Sequence, residues 1–85
     1  MSDLRVRVRV LDAWDDVVLH LPASVRVSEV KQRALDAAHV TGDPGGFLVK
    51  FRGAVVRDES RTLAEERVPA DGALIVMRAR RTPVR

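Results

Sequence analysis

Residues 4–11 alternate without a break. Leu4, Val6, Val8 and Val10 fall on one side, and Arg5, Arg7 and Arg9 on the other. A period of two on β-branched residues predicts a strand with one buried and one wet face. Asp12-Ala13-Trp14-Asp15-Asp16 is polar and reads as a loop. A second strand is expected over Val17–Leu21, with Val17, Leu19 and Leu21 on one face and Val18 and His20 on the other. Two alternating strands across a short loop predict an antiparallel hairpin. Pro22 ends the second strand, because proline cannot donate to the ladder.

From Val27 to His39 the period changes. Val27, Val30, Ala34 or Leu35, and Ala37 or Ala38 recur at helical spacing, which leaves Glu29, Lys31, Gln32, Arg33 and Asp36 mostly outside. Ser28, or less clearly Ser24, is available as N-cap, and Gly42 as a left-handed residue after the helix. Gly42-Asp43-Pro44-Gly45-Gly46 is a connector. Phe47–Arg52 predicts a third strand, with Phe47, Val49 and Phe51 inward and Leu48, Lys50 and Arg52 outward. Gly53 turns the chain into a short fourth strand, Ala54–Val56. The segment 58–66 is polar with one anchor, Leu63, and Thr62 or Ser60 is placed to cap a brief helical turn. Asp71-Gly72 marks the last corner before a final strand, Ala73–Arg78, with Leu74 and Val76 inward and Ile75 and Met77 outward. A hairpin, a helix and three further strands predict a two-layer α+β domain.

Composition narrows the classes. A chain of 85 residues is one small domain. It has no cysteine, which removes disulfides, thiolate catalysis and cysteine-based zinc sites, and suits a reducing cytoplasm. No apolar run approaches the ~20 residues that span a bilayer. The first residues lack the apolar core of a signal peptide. A cytoplasmic monomer is expected. The formal net charge is +3, and lysine occurs only at Lys31 and Lys50, so the excess is arginine. Arginine favours anionic partners, although base-composition bias accounts for an Arg-, Ala- and Val-rich chain more simply.

Candidate chemistry is sparse. His20 and His39 fall at unrelated positions with no evident nucleophile or carboxylate in reach, so no catalytic residue is expected. His39 suits the negative end of the helix. Asp12, Asp15 and Asp16 do not have the spacing of an EF-hand loop and read as a solvated acidic turn, so no metal or cofactor is expected. Trp14 among them is either an interface aromatic or a lid over the core edge. Residues 42–46 are not a phosphate loop, since no Gly-Lys-Ser/Thr follows. Arg5, Arg7 and Arg9 form a ladder on the outer face, either a contact surface or a solvated one.

The order of the pieces resembles the β-grasp fold of ubiquitin and its relatives. Pro22-Ala23-Ser24 followed by Val27-Ser28-Glu29-Val30-Lys31 resembles that family's loop and helix start. Phe51-Arg52-Gly53 resembles its third-strand ending. Arg61-Thr62-Leu63, then Val68, then Ala73-Leu74-Ile75-Val76-Met77-Arg78-Ala79-Arg80 resembles its closing segment. The match runs from about Val6 to Arg80, so the resemblance implies one ubiquitin-like domain over 1–80 and a flexible basic tail over 81–85.

Three departures shape the functional expectation. Conjugating members end in Gly-Gly, whereas this sequence ends Arg80-Arg81-Thr82-Pro83-Val84-Arg85, so conjugation of the usual kind is not expected. The family's apolar partner patch is altered: Lys50 stands where an isoleucine is usual, Ile75 and Met77 stand on the last strand, and Leu48 extends the patch sideways. Lys31 is the only lysine that aligns with one of ubiquitin's. Length, ending and composition are similar to small bacterial ubiquitin-like proteins of type VII secretion systems.

The expectation is a non-enzymatic interaction module. Its contact residues would be Arg5, Arg7, Arg9, Leu48, Lys50, Ile75 and Met77, with Trp14 beside them, and its partner a protein with an acidic and apolar surface. Nucleic-acid or anion binding by the same arginines is the first alternative, and it lacks outer-face aromatics for base stacking. A modifier conjugated through a noncanonical C-terminus is the second. An accessory subunit of a larger enzyme is not separable from the leading reading by sequence.

Overall fold

The computed structural model describes residues 3–79, so the expected 81–85 tail lies outside the described residues. The strands are β1 (Leu4–Val10), β2 (Asp15–Leu21), β3 (Phe47–Phe51), β4 (Ala54–Val55) and β5 (Gly72–Arg78), with one helix, α1 (Val27–Ala37). They form a five-stranded sheet in the order β2-β1-β5-β3-β4. β1 and β5 run parallel, and the other neighbours are antiparallel. This is the α+β arrangement of the β-grasp, a mixed sheet folded around one helix.

The alternation in β1 is realised residue by residue. Val6, Val8 and Val10 are fully buried, while Arg5, Arg7 and Arg9 are exposed. Leu74 and Val76 of β5 and Phe47 and Val49 of β3 join them beneath the sheet. Val27, Val30, Ala34 and Leu35 supply the helix side of the core, and Leu63 and Val68 close it from the β4–β5 connection.

Several boundaries depart from the sequence reading. Leu11, expected in the first strand, and Asp12 and Ala13, expected as loop, instead form a 3-10 turn over Leu11–Ala13. Trp14 follows in the left-handed region at φ 51°, and β2 already begins at Asp15. Neither Ser24 nor Ser28 caps the helix. Arg26 holds the N-cap position, and no side chain bonds to it. The free amides are met from a distance: Val27 N–H donates to the Arg61 carbonyl and Ser28 N–H to the Glu59 carbonyl, both at 2.9 Å. The helix ends before Gly42. His39 takes the left-handed position at φ 59°, its N–H bonds the Asp36 carbonyl, and Val40 N–H bonds Leu35. That pairing of the last carbonyls is a Schellman ending with histidine where glycine is usual.

The polar 58–66 segment contains the expected cap. Glu65 N–H donates to Thr62 Oγ1 at 3.1 Å and Thr62 N–H to Glu65 Oε1 at 2.9 Å, a reciprocal capping box. Ser60 bonds Asp58 instead. At the last corner the left-handed residue is Asp71, at φ 61°. Gly72 serves by being small: a Cβ there would sit 2.9 Å from both the Pro69 carbonyl oxygen and Val68 Cγ1.

The largest correction concerns Lys31. Expected on the outer side of α1, it is buried, at 5% exposure. Its Nζ lies 2.7 Å from Glu59 Oε1 and donates to the Phe47 carbonyl at 3.0 Å. A buried ammonium is tolerated only when paired and hydrogen-bonded, and both conditions are met. Among the described residues no helix is long and apolar enough to cross a membrane.

Candidate functional site

The sheet covers the helix with one face and leaves the other to solvent, so every outward side chain of the five strands shares one surface. Cross-strand register fixes which of them meet. One row reads Asp16, Arg9, Ile75, Lys50 and Val55 across β2, β1, β5, β3 and β4. A second reads Val18, Arg7 and Ala73. Leu48 and Met77 face each other at the end of β5 nearer the Trp14 turn. Arg5, paired with His20, closes the opposite end. The expected contact residues Arg5, Arg7, Arg9, Leu48, Lys50, Ile75 and Met77 therefore occupy one face.

They are unequally accessible. The arginines are exposed, whereas Leu48, Lys50, Ile75 and Met77 are half-buried. Opposed side chains on a sheet shield one another, and the Leu48–Met77 and Lys50–Ile75 pairs sit directly opposite. The apolar part of the face is thus a low ridge that contains Lys50 and borders the β1 arginines. Val18 and Val55, not singled out by the sequence reading, add exposed apolar positions on the two edge strands. Period-two counting had already placed Val18 outward.

Trp14 resolves toward the solvent: it is 86% exposed and does not fold over the core edge. The turn holding it is anchored by Asp12, whose Oδ2 accepts from Arg78 Nη2 at 2.6 Å and Nε at 3.0 Å. The Arg78 guanidinium also lies 4.9 Å from the Phe47 ring centroid. Arg52 covers the Phe51 ring similarly at 5.1 Å, from the left-handed corner that follows β3.

Acids stand beside two of the three arginines of the ladder. Arg9 donates through Nε to Asp16 Oδ1 at 2.8 Å and through Nη2 to Oδ2 at 3.3 Å. That hydrogen bond holds the Asp16 carboxyl below the usual carboxylate range and raises the Arg9 guanidinium further. Arg5 lies 3.5 Å from Asp71. Asp58 is likewise held low, by the Ser60 hydroxyl and amide. His20 stands outward beside Arg5, and His39 serves the helix ending.

No protein-family model and no curated protein matches the sequence. Solved structures do match the fold. The ubiquitin-like domain of an Arabidopsis thaliana protein superposes with a TM-score of 0.78 at 13% identity, over 100% of this chain and 86% of that one. Caldiarchaeum subterraneum ubiquitin gives a TM-score of 0.78 at 10% identity, over 95% of this chain and 99% of that one. At these identities the likeness is one of fold: the chain has the ubiquitin-like β-grasp fold.

Proposed function

We propose that the chain is a non-enzymatic protein-interaction module that docks an acidic, partly apolar protein surface on the outer face of its sheet. The observation that carries this reading is the register placing Ile75 beside Lys50 and Met77 beside Leu48, with Arg7 and Arg9 flanking. Half-buried apolar side chains with Lys50 among them and arginines along the β1 side offer both desolvation and charge complementarity to one partner. Exposed Trp14 stands ready at the rim, since tryptophan is a frequent interface anchor. A cytoplasmic accessory role in bacterial type VII secretion is the finer form of the proposal, and it rests on the sequence resemblance.

The test is affinity capture from native lysate at low and high salt, with wild type and a Lys50→Glu/Met77→Asp double variant. A protein retained by wild type at high salt and lost by the variant is the expected result. Recovery of nucleic acid alone, released by salt from both forms, would replace this reading with electrostatic binding through the arginines.

A further inference from the structure

The three arginines of β1 alternate identically in sequence, yet they are not equivalent in space. Arg9 is engaged by Asp16, and Arg5 approaches Asp71. Arg7, between them, has no carboxylate in ion-pair distance among the described residues. Its neighbours across the sheet are Val18 on one side and Ala73 on the other. Ala73 is the smallest outward side chain of β5, next to Ile75 and Met77. Where a longer side chain would fill the face, its methyl leaves a concavity of about 230 Å³ lined by Arg7, Arg9, Asp16, Ala73, Leu74 and Ile75.

We propose that this concavity is a subsite for a single carboxylate side chain of a protein partner, held by the Arg7 guanidinium, with an adjacent aliphatic side chain of that partner resting on Ala73 and Ile75. The inference rests on the docking reading above and names the chemistry of the partner. Arg9 and Asp16 neutralise each other at the rim, which leaves Arg7 as the lining cation without an ion pair. A monoanion matches that charge, and a guanidinium offers a carboxylate two parallel hydrogen bonds. The floor is aliphatic and presents no ring on which a base could stack, which favours a protein carboxylate over a nucleic acid.

The test is an amide-shift titration of the isotope-labelled full chain with two blocked tripeptides, acetyl-Leu-Glu-Leu-amide and its glutamine counterpart. The acidic peptide is expected to move the amides of Arg7, Ala73 and Ile75, and to bind about tenfold more tightly than the neutral one. Arg7→Gln should abolish that preference, while Arg5→Gln should keep it. Both replace exposed side chains, and the dispersed spectrum of each variant reports that it is folded. A preference that survives Arg7→Gln, shifts clustered elsewhere, or displacement of the peptide by equimolar inorganic phosphate would overturn the subsite. If lysate capture still depends on Lys50 and Met77 while Arg7→Gln is silent in both assays, docking stands and the subsite falls. If capture ignores Lys50 and Met77, the docking reading falls and the subsite falls with it.

Discussion

Two lysines on neighbouring elements have opposite fates. Lys50 sits half-buried on the outer face of β3, opposite Ile75 and Val55, whereas Lys31 is enclosed between Glu59 and the Phe47 carbonyl. An amine-selective ester should therefore modify Lys50 quickly and leave Lys31 intact in the folded chain, as read by peptide mass mapping. Equal labelling of the two would contradict the burial of Lys31. Replacing Glu59 alone would strand a buried charge, which is the costly way to break such a pair. Helical spacing held a clue to this site. Lys31 lies four residues after Val27 and four before Leu35, both buried, so it falls on the apolar face of α1. Its acidic partner lies in the β4–β5 connection, and no local pattern links the two.

At the scale of elements, the strands were legible because a period of two writes itself into the sequence. Val6, Val8 and Val10 cannot slip by one residue without exchanging places with the arginines. The ends of α1 were not legible, because their hydrogen bonds are made by other parts of the chain. The Glu59 and Arg61 carbonyls stand in for the serine cap that the sequence offers. The same holds for the outer face. Its members could be named from alternation, while their half-burial follows from the cross-strand pairs, which only the register decides. The Thr62–Glu65 box matters for the same reason: it orders the segment that supplies those capping carbonyls. Thr62→Ala should lower stability by about 1 kcal/mol in urea unfolding. A variant as stable as wild type would show that the box adds nothing to the backbone bonds and the Leu63 anchor that hold the segment.

Across the whole molecule, surface acids are tied into hydrogen bonds with neighbouring side chains and amides, and this gives the fold an acid limit. Asp16 and Asp58 both have carboxyls held below the usual range in the folded state. The unfolded chain binds those protons more readily. Their contribution is therefore complete above the unfolded pKa and is lost as pH falls through the folded value. Thermal midpoints should be flat near neutrality and fall below about pH 4. Asp58→Asn should make that fall shallower, and an unchanged acid slope would remove Asp58 from the account. The same acidification protonates Asp16 and leaves Arg9 unpaired beside Arg7, so the outer face becomes more basic as the fold weakens.

The most direct test of the docking claim is to map the captured partner onto the isotope-labelled chain by amide chemical shifts. The account predicts perturbations concentrated on Arg7, Leu48, Lys50, Ile75 and Met77, with the Trp14 indole moving as well. Perturbations confined to α1 and the free edge of β2, with the outer face silent, would contradict it.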